Sequence, residues 1–274
     1  MPSERRNIDN NANGSKNTRM DLDTAIGNMD IRKDELMHIA RYQKFCKTVI
    51  DLAKALGRPV KVLDLGCGEI YNARMLYKAF VVKKEDVISR YVGVDIDKPM
   101  LDRVKETYHR ALTAVNGKLI CKDLTQDCTI KVSDGYFDVV VWYEMIEHIN
   151  PKFVPGIIKE VSRVLNPEGV GLISTPNSNG SNAKLPKDHF YEWSYEELIE
   201  ALETNGLSVD STYGVSVNPS KIPKEELARV AKQKNKIWGA FGSNTAFSCV
   251  ALAPMIKPTY CKNVLYTVHK GGRR

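Results

Sequence analysis

The chain has 274 residues, of which 43% are hydrophobic and 27% charged. That is enough for one large core with appended elements, and no stretch reaches the roughly 20 apolar residues of a membrane span. The formal net charge of +7 is uneven: residues 215–274 hold 11 Lys or Arg against two acidic residues, so the basic excess lies at the carboxyl end. The amino-terminal stretch lacks the apolar region of a secretory signal, and none of the cysteines at positions 46, 67, 121, 128, 249 and 261 forms a C-x-x-C pair. The expected setting is cytoplasmic, with reduced thiols and neither a disulfide framework nor a zinc knuckle.

Residues 1–28 are rich in Asn, Asp, Ser and Arg and are expected to form a disordered arm. From Ile31 to Leu56 apolar residues recur at helical spacing (Met37, Ala40, Phe45, Val49, Leu52, Ala53), and Gly57 with Pro59 ends the run. Residues 29–57 are therefore read as a helical lid. Strand and helix then alternate. Strands are predicted at 61–65, 91–95, 118–123, 137–142 and 169–175. Helices are predicted near 73–80, 99–115, 152–165 and 193–204. The run FDVVVW at 137–142 is apolar almost throughout, as a strand covered on both faces must be. Ser194 with Glu197 forms a capping-box pattern. Strands at 207–217 and 244–253 are predicted to close the sheet, with a basic helical insertion at about 218–243 between them. The main domain is thus read as 58–256, followed by a basic tail over 257–274. Such alternation implies an α/β architecture with a doubly wound, mostly parallel sheet.

In open α/β sheets ligands bind beyond the carboxyl ends of the strands. The first strand ends in Asp64-Leu65-Gly66-Cys67-Gly68, where glycines permit a sharp turn. A dinucleotide turn, G-x-G-x-x-G, needs glycine where Tyr71 stands. The D-x-G-x-G pattern instead places an acidic residue before the turn, an acceptor for an ammonium group. On these residues the chain resembles the class I S-adenosylmethionine-dependent methyltransferases over roughly residues 58–210, although Ile70 replaces a further glycine common in that family. The resemblance implies a Rossmann-like, seven-stranded sheet with one antiparallel closing strand, and S-adenosylmethionine as cofactor. It also implies site roles. The Asp64, Gly66, Cys67 and Gly68 turn would surround the aminoacyl part, and Asp95 would hold the ribose. Ile96 would pack on the adenine, Asp123 beside Leu124 would accept from the adenine amino group, and Trp142 would flank the cofactor. Asp97 reads as a helix cap before Pro99.

The expected acceptor is an oxygen or nitrogen nucleophile of a small molecule or nucleic acid. Two DNA-modifying classes lose support, because Trp142-Tyr143-Glu144-Met145 replaces an Asn/Asp-Pro-Pro-aromatic motif and the chain has no Pro-Cys pair. At helical spacing Glu144, Glu147 and His148 share a face, a donor set able to hold Mg²⁺, Mn²⁺ or Zn²⁺. Together with Thr175-Pro176-Asn177 and Asp188-His189-Phe190-Tyr191-Glu192-Trp193-Ser194, this stretch resembles the enzymes that 2′-O-methylate the 3′-terminal ribose of small RNAs. That likeness implies Glu144, Glu147, His148 and His189 as ligands of a catalytic Mg²⁺ or Mn²⁺ and RNA as partner, and the basic carboxyl end is compatible with it. The same motifs also resemble small-molecule methyltransferases of the ubiquinone-biosynthesis type, in which His148 is a packed residue and His189 part of a lid. A third reading is a non-catalytic binding protein on the same fold, opposed by the intact Asp64–Gly68 turn and Asp95.

Overall fold

A computed structural model describes residues 33–77, 87–180, 184–241 and 245–271; the arm predicted at 1–28 lies outside them. Helix α1 (Lys33–Leu56) buries Tyr42, Phe45, Val49 and Ala53, one stripe at helical spacing. It ends as predicted. Gly57 takes φ 63°, its N–H donates to the Lys54 carbonyl and the Arg58 N–H donates to the Ala53 carbonyl. This pair of bonds satisfies the last carbonyls, and the left-handed residue that allows it is cheapest as glycine.

The chain then runs β1 (Val60–Leu65), α2 (Tyr71–Leu76), β2 (Ile88–Asp95), α3 (Lys98–Thr107), α4 (His109–Ala114), β3 (Gly117–Cys121) and β4 (Phe137–Tyr143). It continues through α5 (Val154–Val164), β5 (Leu165–Pro176), α6 (Tyr195–Thr204) and β6 (Leu207–Val217). Helices α7 (Lys224–Arg229), α8 (Ala231–Phe241) and α9 (Thr245–Leu252) precede β7 (Cys261–Lys270). The seven strands form one sheet in the order β3-β2-β1-β4-β5-β7-β6. The first five are parallel, and β7 runs antiparallel to both β5 and β6. This is the predicted Rossmann-like architecture. Two hydrophobic layers cover the sheet. One joins Val139 and Val141 of β4 to Phe45 and Val49 of α1; the other joins Val140 and Trp142 to Ile157, Ile158 and Val161 of α5. Alternate residues of a strand face opposite sides, so both sides of β4 must be apolar. The exception is Asp138, buried and held by both guanidinium nitrogens of Arg58 at 2.8 Å and by the Lys61 N–H.

Three expectations change. The helix predicted over 99–115 breaks at Tyr108 into α3 and α4. The strand predicted at 244–253 is helix α9, since a short apolar run does not distinguish a buried helix from a strand. The closing strand is β7, inside the segment read as a basic tail, so the sheet extends past the predicted boundary at 256. Its centre, Asn263 to Val268, is buried between two strands.

The insertion is clasped to the start of β7 by Glu226. Its carboxylate accepts from Arg229 Nε and Nη2 and from the Lys257 N–H, and the Arg229 hydrogen bonds lead in lowering its pKa from 4.5 to about 2. A depressed carboxylate contributes stability above its unfolded pKa and loses it as pH falls through the folded value. Glu226→Gln should therefore lower stability by about 1–2 kcal/mol at pH 7. Urea titrations should show that deficit shrinking as pH drops from 4.5 towards 2. Among the described residues no helix is long and apolar enough to cross a membrane.

Candidate active site

Parallel register brings the carboxyl ends of the central strands level: Leu65 pairs with Val94 and Trp142, and Asp95 with Cys121. The turn after β1 is built from the residues predicted. Gly66 has φ 64° and Gly68 φ 49°. A Cβ on Gly66 would lie 2.5 Å from Met145 Sδ, so this position needs glycine for both backbone and space. The Cys67 N–H donates to the Val94 carbonyl, tying the turn to β2. Asp64 is buried. It accepts from Asn72 Nδ2 at 3.0 Å and from the Tyr91 hydroxyl, whose pKa is pushed well up, first by burial and then by Asp64 itself. Asp64 thus braces the turn from beneath.

Asp95 is buried against this turn. One carboxylate oxygen accepts from the Gly68 N–H at 2.8 Å and the other from the Asp97 N–H at 3.0 Å, so the group is oriented before any ligand arrives. Ile96, next to Asp95, is 65% exposed and offers an apolar surface at this strand end. Asp97 caps α3 through the Met100 N–H, as predicted. Asp123 lies just beyond β3. Hydrogen bonds from Thr125, then Gln126, hold its carboxyl below the usual range. Leu124 is buried beside it. These groups fit a nucleoside with a charged aminoacyl arm. Trp142, at the end of β4, is fully buried in the α5-side layer, where it shares a strand face with Val140.

Ile70 opens α2 with φ 52° and ψ 39° and is fully buried. The left-handed conformation costs a β-branched residue about 1–2 kcal/mol, whereas losing a buried isoleucine side chain costs about 2–5 kcal/mol. Burial outweighs strain. Ile70→Gly should destabilise by about 1–3 kcal/mol, and Ile70→Ala, which keeps the strained backbone without the side chain, should be worse by about 1 kcal/mol. Chemical denaturation of both variants would expose the reversed Gly/Ala order, and the usual order would contradict the strain argument.

On the acceptor side, β4 ends at Tyr143 and Glu144 adopts φ 48°. A 3₁₀ turn over Ile146–His148 follows. The α-helical face predicted there is absent, and with it the four-residue convergence. Glu144 is not part of the cluster. Its carboxylate pairs with Arg41 of α1 at 3.1 Å and accepts from Ser174 Oγ and Asn263 Nδ2, each at 3.0 Å. The other three residues do converge. The ligand-capable atoms of Glu147, His148 and His189 all lie within 4.8 Å of one another, and the two imidazoles meet edge to face at 4.8 Å. Glu147 is buried and accepts from Thr175 Oγ1 at 3.0 Å. Burial, and then the neighbouring Glu144, holds its carboxyl well above the usual range, with Arg41 opposing.

Both histidines carry an acceptor on the same ring nitrogen. His148 Nδ1 lies 2.8 Å from the Asp188 carbonyl oxygen, and His189 Nδ1 lies 3.0 Å from Glu192 Oε1. An N–H at each Nδ1 satisfies both contacts and leaves each Nε2 with its lone pair. A carboxylate or carbonyl behind the imidazole is the usual support of a metal-ligating histidine, and one carboxylate with two imidazoles suits a divalent transition ion. The loop carrying His189 is fixed by the Phe190 and Tyr191 N–H groups, which both donate to the Glu147 carbonyl. Thr175-Pro176-Asn177 is scaffolding: Asn177 Nδ2 donates to the carbonyls of Pro258, Thr259 and Cys261.

A family model described as a methyltransferase domain matches residues 62–169. A protein of Mycolicibacterium smegmatis named a probable S-adenosylmethionine-dependent methyltransferase is 35% identical over 158 residues, covering 56% of this chain and 54% of the relative. The mitochondrial ubiquinone biosynthesis O-methyltransferase of Rattus norvegicus is 29% identical over 183 residues, covering 60% and 49%. The chain thus spans about half the length of the curated relatives it matches. A solved structure titled a SAM dependent methyltransferase from Archaeoglobus fulgidus superposes with a TM-score of 0.53 at 15% identity, covering 88% of this chain and 95% of that one; this likeness is one of fold.

Proposed function

We propose that the chain is a class I S-adenosylmethionine-dependent methyltransferase that transfers a methyl group from S-adenosylmethionine to a hydroxyl oxygen of a small molecule or nucleic acid in the cytoplasm. S-adenosylmethionine supplies an electrophilic methyl group on a sulfonium. The Gly66–Gly68 turn admits its aminoacyl arm, and Asp95 uses the lone pairs left by Gly68 and Asp97 to accept from the ribose hydroxyls. Ile96 offers its exposed side chain to the adenine. Asp123, just beyond β3, would accept from the amino group of the base. Methyl transfer then asks the protein to align the nucleophile and to take or stabilise its proton.

The observation that carries the acceptor side is the convergence of Glu147, His148 and His189 with both Nδ1 atoms committed elsewhere. The residues fit a divalent cation, Mg²⁺ or Mn²⁺ as well as a softer ion, whose contribution would be to lower the pKa of a coordinated hydroxyl. His148 and His189 would present Nε2 to it, Glu147 would balance its charge, and Glu192 and Asp188 would hold the rings. The O-methyltransferase name of the rat relative supports oxygen as the acceptor atom.

Mn²⁺ titration followed by electron paramagnetic resonance tests this reading without an assay of turnover. Saturable binding should be lost in the His148→Ala/His189→Ala double variant and weakened about 10- to 100-fold by Glu192→Gln, with circular dichroism confirming that each variant is folded. Unchanged binding in the double variant would leave the histidines as hydrogen-bonded packing residues.

A further inference from the structure

We propose that Phe190 is a stacking platform that selects a planar, unsaturated ring on the methyl acceptor; this deepens the methyltransferase reading and rests on it. Among the described residues the large exposed apolar side chains are Ile96, Leu185, Phe190, Tyr191 and Met255. Ile96 belongs to the cofactor side. Leu185, Phe190 and Tyr191 fall in one segment around His189, next to the Glu147–His148–His189 cluster. Within that segment the aromatic rings differ. Tyr191 is already employed: its ring meets Trp193 edge to face at 5.3 Å and its hydroxyl donates to Glu197. Phe190 is 62% exposed, and no ring contact holds it among the described residues.

Its exposure is not that of a loose loop. The Phe190 N–H donates to the Glu147 carbonyl at 2.7 Å, and the His189 N–H before it donates to the Pro186 carbonyl at 3.1 Å. The His189 ring is pinned to Glu192 at 3.0 Å. The backbone that carries Phe190 is therefore bonded to the residue whose carboxylate helps form the cluster. The Phe190 ring thus stands in water on an anchored backbone next to the cluster, and covering it with a ligand removes apolar area from water. A flat ring does so at low entropic cost and with a specific geometry. An aliphatic acceptor would not distinguish phenylalanine from any other apolar residue. The lysines of the segment, Lys184 and Lys187, are exposed, so the surroundings admit a ring carrying polar or anionic substituents.

Two sources share this chemistry, a nucleobase and a phenolic ring, and one experiment separates them. The full chain, saturated with S-adenosylhomocysteine and Mn²⁺, is titrated with adenosine, with catechol and with cis-1,2-cyclohexanediol, in wild type, Phe190→Ala and Phe190→Trp. Adenosine or catechol should bind wild type, weaken about 5- to 100-fold in Phe190→Ala and bind Phe190→Trp at least as well as wild type. The saturated diol should respond to neither substitution. Which ring responds identifies the acceptor's class. Equal affinity of both ring probes for wild type and Phe190→Ala, or failure of both to bind a protein that does take up S-adenosylhomocysteine, would overturn the platform alone. Failure of S-adenosylhomocysteine to bind would overturn the reading beneath it.

Discussion

Arg41→Met should destabilise the protein by about 2–4 kcal/mol in urea unfolding. Arg41 is 1% exposed, sits on α1 and faces Glu144 at 3.1 Å, with His38 Nδ1 2.9 Å from its other terminal nitrogen. Removing one partner of a buried ion pair usually costs about 3–5 kcal/mol, because the other charge is left uncompensated. The figure expected here is lower because the Glu144 side chain keeps 24% of its exposure and two further hydrogen bonds, from Ser174 and Asn263. The deficit should be largely recovered in Arg41→Met/Glu144→Gln, where no charge remains unpaired. A double variant as unstable as the sum of the single ones would mean that Arg41 acts through packing alone. The pair also joins α1 to β5 and β7, so the single variant should loosen α1, visible as faster amide exchange in that helix.

That ion pair marks the limit of what spacing reveals. Glu144 was grouped with Glu147 and His148 on the assumption of an α-helix. The chain instead takes a left-handed step at Glu144 and a 3₁₀ turn after it, which separates the side chains. The partner that draws Glu144 aside, Arg41, is about 100 residues earlier and sits next to Tyr42 in an apolar stripe, where a basic residue was the one available clue. Glu147, His148 and His189 were recognisable because a carboxylate and two imidazoles are residue types able to ligate a metal wherever the backbone brings them together. The Glu192 and Asp188 supports behind them become visible only with coordinates.

The sheet was readable for a different reason. Strands buried on both faces, such as 137–142, leave long apolar runs, and the turn residues Gly66, Gly68 and Asp97 lie where strand periodicity stops. The last strand lies outside the segment predicted for it because apolar content points to the wrong run. The segment 244–253 is the more apolar one, while β7 carries Lys262, Asn263 and His269, and its Asn263 is used internally by Ser216 and Glu144. Strand alternation sets which layer each ring of β4 enters, and it places Trp142 with Val140 in the core.

The most direct test is calorimetric titration of S-adenosylhomocysteine into the full chain and into Asp95→Ala. Asp95 is the one carboxylate at the mouth of the turn whose two oxygens are both oriented by backbone N–H groups. Two ribose hydroxyls bonded to it at about 1.5 kcal/mol each correspond to a loss of about 100-fold or more. Asp95→Asn, which keeps one acceptor for the Gly68 N–H, should fold as wild type and still bind poorly, separating recognition from support of the turn. Micromolar binding by wild type, lost in both variants, is the predicted result. No binding by folded wild type, or equal binding by Asp95→Ala, would contradict the assignment of the cofactor site.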